Sequence, residues 1–128
     1  MAAVSTAPRV LVVDDDPVIL KLLQVNFEME GFDVLTAADG VDGLRAARDE
    51  RPDVVVSDVM MPGMNGLELV AALGADDLTG NIPVMLLSAR AQATDVAAGY
   101  DAGAQDYVTK PFEPLELVDR VHKLLRSR

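Results

Sequence analysis

The chain is predicted to be an α/β protein, a parallel β-sheet with helices packed on both faces. Five apolar runs of β type, Arg9 to Val13, Asp33 to Ala37, Asp53 to Ser57, Pro83 to Leu87 and Asp106 to Thr109, alternate with segments of helical periodicity. The runs VLVV, VVV and VMLL are continuously apolar rather than alternating, as in strands covered on both sides. At 128 residues, half of them hydrophobic, the chain fits one globular domain large enough to bury a core without staples. With three Phe, two Tyr and no Trp, that core is aliphatic.

The helices follow in order. The first starts with Asp16 as N-cap and Pro17 at the first helical position, carries Ile19, Leu23 and Phe27 on one face, and is closed by Gly31. The second runs from Val41 to Glu50, buries Leu44 and Ala47, and is stopped by Pro52. A third begins near Asn65 and points Leu67, Val70 and Leu73 inward; Gly74 to Asn81 then reads as a plain connecting loop, broken by Asp76-Asp77 and Gly80-Asn81. The fourth, Ala93 to Ala102, has few large apolar residues and an internal Gly99, which predicts weak packing and mobility. The last opens at Pro114 and buries Leu117, Val118, Val121 and Leu125. Residues 1 to 8 read as a tail and 9 to 128 as the domain.

Charge and composition exclude several functions. A formal net charge of −10 repels nucleic acid phosphates, and no basic stripe offsets it, so direct nucleic acid binding is not expected. Arg9, Arg45, Arg48 and Arg51 are scattered among acids; Arg120, Lys123, Arg126 and Arg128 complement the negative dipole end of the last helix. The absence of cysteine excludes disulfides and thiolate metal sites. MAAVSTAP lacks a basic region followed by an apolar stretch, and no run approaches the roughly 20 apolar residues of a membrane span, so a soluble, cytoplasmic protein is expected.

The chemistry collects at strand ends. Asp14-Asp15 follow the first strand, Asp58 the third and Ser88 the fourth, while Lys110 follows the fifth. In open α/β sheets the ligand site lies beyond the carboxyl ends of the strands, where strand order reverses. Should the first and third strands be neighbours there, three carboxylates converge. They raise one another's pKa unless a cation neutralises them, and oxygen-only ligands favour a hard ion, Mg²⁺, with Mn²⁺ as its substitute. A single acid at a strand end is usually a helix N-cap, as Asp16 is; the adjacent pair plus Asp58 is not accounted for in that way. Lys110 and the Ser88 hydroxyl can serve the oxygens of a phosphoryl group. His122, the only histidine, sits among exposed positions of the last helix and reads as a surface residue; Tyr107 reads as a half-buried tyrosine of an edge strand.

The segments VLVVDDD (10–16), DVMMPGMNG (58–66), LLSAR (86–90) and DYVTKPF (106–112) resemble those of the receiver domain of bacterial two-component response regulators, and the resemblance covers Arg9 to about Leu125. It implies a flavodoxin-like, doubly wound (βα)5 three-layer sandwich of strand order 2-1-3-4-5. It also implies that Asp58 is the phosphoacceptor, that Asp14, Asp15, Asp58 and the Met60 carbonyl hold Mg²⁺, and that Lys110 and Ser88 bind the phosphoryl oxygens. Tyr107 is then the switch residue, turning inward as Ser88 moves, and Met60, Ala89 and Arg90 flank the site and tune the lifetime of the phosphate. The Lys110-Pro111 peptide is expected to be cis.

The implied partners are a histidine kinase or histidine phosphotransfer protein and a downstream effector or output domain. The implied activity is that of a switch, not an enzyme: it catalyses only its own aspartyl phosphorylation and dephosphorylation, and signals through the face of the fourth helix, fifth strand and fifth helix. The expected state is a monomer or a weak, phosphorylation-dependent homodimer, with Asp106, Glu116 and Arg120 available to pair across a two-fold axis. Against the winged-helix branch of the family, Val96 replaces a basic residue and Gln105 an acidic one; Ser88 stands where Thr is frequent and keeps the hydroxyl.

Three rivals are weaker. A haloacid dehalogenase-like phosphatase would use Asp14-x-Asp16 with Asp14 as nucleophile, but the chain lacks an acidic pair after the lysine and has no room for a cap. A flavin binder is disfavoured because Asp14-Asp15-Asp16 would repel a phosphate. A degenerate receiver is disfavoured by the complete site. The sequence leaves open whether the chain stands alone or is the receiver portion of a longer regulator.

Overall fold

The computed structural model describes residues 7–127. Five strands, β1 (Arg9–Val13), β2 (Asp33–Ala37), β3 (Val54–Asp58), β4 (Val84–Ser88) and β5 (Asp106–Thr109), alternate with five helices, α1 (Pro17–Met29), α2 (Gly40–Glu50), α3 (Gly66–Gly74), α4 (Ala93–Ala102) and α5 (Pro114–Arg126). All pairings are parallel and the order is β2-β1-β3-β4-β5, the expected doubly wound topology. The sheet has two buried faces because side chains alternate along each strand. Leu11, Val13, Val55 and Leu86 point to the side covered by α2, α3 and α4. Val10, Val12, Val54, Val56, Met85 and Leu87 point to the side covered by α1 and α5.

Local chemistry sets the helix ends as expected. The Asp16 side chain accepts the Val18 amide at 2.9 Å, with Pro17 in the first turn, and Gly31 follows the α1 C-cap at φ +90°. Asp39 caps α2, which begins at Gly40, one residue earlier than expected. Asn65 and Glu68 form a reciprocal capping box at α3.

Several boundaries and burials differ from expectation. β3 and β4 begin and end one residue later, so Asp58 and Ser88 terminate their strands instead of following them. Pairing with the neighbouring strands extends the ladder: Asp58 lies opposite Leu87, and the Lys110 amide donates to the Ser88 carbonyl at 2.8 Å. In α3, Leu69 is fully buried beside Val70 and Leu73, while Leu67 is only partly buried. The segment after α3 is more than a connector, since Thr79 is buried and its hydroxyl donates to the Leu73 carbonyl at 2.8 Å.

His122 is not a free surface residue. It is half-buried, its ring 5.1 Å from that of Phe32, which in turn meets Phe27 edge-on at 5.1 Å. The turn after α1 brings Phe32 under α5 and so gives the histidine a partner. Of the expected tail, residues 1–6 lie outside the described residues, as does Arg128; the Pro8 carbonyl accepts the Asp33 amide at 2.9 Å. Among the described residues, no helix is long and apolar enough to cross a membrane.

Candidate functional site

Because β1 and β3 are neighbours, their carboxyl ends deliver Asp14, Asp15 and Asp58 to one place, and each offers a carboxylate oxygen within 4.8 Å of the others. Asp14 and Asp58 are buried at 1% and 5% exposure, whereas Asp15 is open to solvent. Asp14 Oδ1 accepts the Asp16 amide at 2.9 Å; its Oδ2 is buried with no hydrogen-bond partner among the described residues. Asp58 Oδ1 accepts the Met60 amide at 3.3 Å, which folds the loop after β3 over the site.

Lys110 is the cation of the cleft. Its Nζ stands 3.4 Å from Asp58 Oδ1 and 3.7 Å from Asp14 Oδ2, and its peptide bond to Pro111 is cis. One ammonium against three carboxylates leaves an excess of two negative charges. The Asp14 carboxyl is pushed above its ordinary range, chiefly by burial; the Asp16 amide and Lys110 oppose that rise, and Asp58 and Asp15 add to it. Burial therefore outweighs the mutual repulsion expected from the sequence.

Hard oxygen donors, an excess negative charge and a buried carboxylate oxygen lacking a partner fit a divalent cation of the Mg²⁺ class. The residues of the cleft suit such an ion.

Ser88 is fully buried and its hydroxyl oxygen accepts the Arg90 amide at 3.0 Å. Tyr107, expected to turn inward as Ser88 moves, is already inside: it is buried at 7% exposure rather than half-buried, and its hydroxyl donates to the Arg90 carbonyl at 2.8 Å. Packing by α4 over the edge strand accounts for the difference. A groove of about 250 Å³ runs beside the cleft from Met60 and Arg90 to Tyr107. Met60, which lines it, and Ala89, next to Arg90 in the chain, are exposed; the Arg90 guanidinium lies 3.9 Å from Asp95. Asp106 and Arg120, expected to be available across a two-fold axis, pair within one chain through two hydrogen bonds of 2.8 and 2.7 Å, with Glu116 at 3.9 Å from Arg120.

Two glycines that frame the site escaped the sequence reading. A Cβ on Gly66 would collide with the Asp58 carbonyl, and one on Gly40 would stand 2.5 Å from the Met64 carbonyl. Both let the loop after β3 fold tightly. A glycine at the first position of a helix was the available signal.

The profile described as the response regulator receiver domain matches residues 10–122. The chain is 50% identical over 123 residues to the transcriptional regulatory protein PrrA of Mycobacterium tuberculosis, covering 96% of this chain and 52% of that protein. It thus spans about half the length of the curated relatives it matches. A putative response regulator from Chloroflexus aurantiacus superposes with a TM-score of 0.90 at 36% identity, covering 94% of this chain and 99% of that one. The receiver domain of the sensor histidine kinase PA1611 from Pseudomonas aeruginosa, solved with a magnesium ion coordinated in its active site cleft, superposes at 0.86 with 27% identity, over 94% and 98% of the two chains. Sequence kinship over nearly the whole chain and a shared strand order agree, and this protein belongs to the response regulator receiver domain family of two-component phosphorelay signalling.

Proposed function

We propose that Asp58 accepts a phosphoryl group from a phosphohistidine, on a histidine kinase or a histidine phosphotransfer protein, in the cytoplasm. The observation that carries this reading is the placement of Lys110 Nζ 3.4 Å from Asp58 Oδ1, beside a buried Asp14 oxygen with no hydrogen-bond partner among the described residues. A carboxylate oxygen of Asp58 forms the new O–P bond as the N–P bond of the donor breaks, and the bonding electrons leave with the imidazole. Asp14, Asp15, Asp58 and the Met60 carbonyl would hold Mg²⁺, which when bound screens charge between the carboxylate and the phosphoryl group. Lys110 donates to one phosphoryl oxygen, and the Ser88 hydroxyl turns to another. The magnesium in the cleft of the PA1611 receiver supports the choice of ion.

Movement of Ser88 disturbs the Arg90 amide it now accepts, and the Arg90 carbonyl in turn holds Tyr107. Through that chain the signal reaches the face of α4, β5 and α5, and from there an effector or output domain; the curated relatives, about twice as long, are transcriptional regulators. A phosphorylation-dependent homodimer that used Asp106 and Arg120 across a two-fold axis would exchange their intrachain pair for its symmetry mate. Incubation with acetyl phosphate and Mg²⁺ is expected to add one phosphoryl group by intact mass, with none added to Asp58→Asn. Equal labelling of that variant would sink the assignment.

A further inference from the structure

Helix α4 buries no large side chain of its own. Its single fully buried position is Gly99, with Val96 and Ala102 only partly covered. Every other helix on the sheet contributes at least one buried residue bearing a side chain. What fills the space under α4 comes from the neighbouring strand: the ring of Tyr107 lies against the backbone at Gly99. A Cβ at that position would stand 2.6 Å from Tyr107 Cδ2, 3.0 Å from Cε2 and 3.3 Å from Leu86 Cδ1. The first of these is shorter than real Cβ contacts and the other two are tight, and the ring is pinned at its far end by the hydrogen bond to the Arg90 carbonyl, so it has little freedom to yield.

We infer that Gly99 is a seat for Tyr107, and that α4 is held on the sheet by that ring more than by its own partly covered Val96 and Ala102. A glycine inside a helix is unfavourable relative to alanine, through lost chain entropy and missing side-chain contacts. Here it leaves the groove that the aromatic ring occupies. The consequence is a direct coupling. With Tyr107 inside, α4 has a partner; with Tyr107 outside, the helix faces an empty groove and loosens. The regulatory meaning of this coupling rests on the proposed switch role of Tyr107, whereas the packing holds in protein that has met neither metal nor phosphoryl donor.

The test is therefore run without Mg²⁺ or phosphodonor, as thermal unfolding of the wild type, Gly99→Ala, Tyr107→Ala and the double variant. Gly99→Ala is expected to lower Tm by several degrees when Tyr107 is present and to raise it by a few degrees in the Tyr107→Ala background, where only the helix preference for alanine is left. The same sign in both backgrounds overturns the inference. If Gly99→Ala alone does not fold, the double variant is expected to regain a cooperative transition, and a double variant no more stable than Gly99→Ala overturns it as well. A second readout follows ring position: with Tyr100→Phe, Tyr107 is the only tyrosine of the chain. Acrylamide quenching of its fluorescence is expected to rise several-fold on adding Gly99→Ala; an unchanged quenching rate rejects the seat. Failure of the wild type to take up a phosphoryl group leaves all these outcomes readable, and so separates the two proposals.

Discussion

Asp14 carries a charge where the protein offers it little compensation. One oxygen has the Asp16 amide; the other has only the Lys110 ammonium at 3.7 Å, beyond hydrogen-bonding distance. A buried carboxylate without full hydrogen bonding costs several kcal/mol as an order of magnitude, which explains why burial dominates the upward shift of its pKa. A divalent cation would relieve that unfavourable charge. Asp15, the exposed member of the cluster, is the position at which charge can be removed with least disturbance to packing. Asp15→Asn is expected to weaken Mg²⁺ binding about tenfold or more, ~1.4 kcal/mol per factor of ten. The same change should raise Tm in metal-free buffer by relieving repulsion. Calorimetric titration checks the first and unfolding in chelator the second; equal Mg²⁺ affinity of the two proteins would remove Asp15 from the ligand set.

Helices here are positioned by their ends as much as by their faces. Helix α2 terminates at Arg51, the one described non-glycine residue at positive φ, +46°. The left-handed conformation costs a side chain roughly 1–2 kcal/mol, and glycine forfeits roughly 0.5–1 kcal/mol of chain entropy in exchange. Arg51→Gly is thus expected to stabilise the protein by about 0.5 kcal/mol, seen as a higher urea midpoint at unchanged slope. The next link runs from α2 to the segment after α3, where Asp76 accepts the Leu78 amide at 2.9 Å and Arg48 Nε at 2.7 Å. Those bonds, the amide first, hold the Asp76 carboxyl below its ordinary value of 3.8. A carboxyl with a depressed pKa in the folded state contributes stability that is complete above 3.8 and is lost as pH falls through the lower, folded value. Asp76→Asn should therefore melt below the wild type at neutral pH, and the two curves of Tm against pH should converge in strong acid. A gap that persists or widens there would show that the Asp76 charge is not what ties these elements.

Across the sheet, the crossing from β1 to β3 places the acid cleft at the reversal of strand order, and β4 and β5 bring Ser88 and Lys110 beside it. The helices are held unequally. Helices α1 and α5 pack through Leu23, Phe27, Leu117, Val118 and Val121, whereas α4 rests on Tyr107 through Gly99. On the proposed phosphorylation of Asp58, Ser88 and Lys110 would be drawn toward the phosphoryl group, and the weakly held α4 is the element that could respond at small free-energy cost. Beryllofluoride with Mg²⁺, a phosphoryl mimic, is expected to change amide exchange at residues 88–110 while leaving α1 and α2 largely unaffected. Differences confined to α1 and α2 would falsify the proposed route.

Periodicity and end chemistry, which act over a few neighbouring residues, made the elements legible from the chain alone. Asp16-Pro17 started α1, Pro52 barred the way past α2, and VVV and VMLL announced strands buried on both faces. The strand order came from resemblance to a family, since nothing local says that β3 passes β2 to lie against β1. The acids were likewise legible as candidates, but that Asp14 is buried with an oxygen left unpartnered depends on β3 and Lys110, which lie far along the chain from it. The same holds for the features misread from sequence. Gly99 looked like a flaw in a weak helix, Tyr107 like a half-buried residue and His122 like a solvated one, because the Tyr107 ring, the covering α4 and the Phe32 side chain that account for them arrive from other elements. Burial and close approach are sums over segments distant in sequence, and they come into being only when those segments pack.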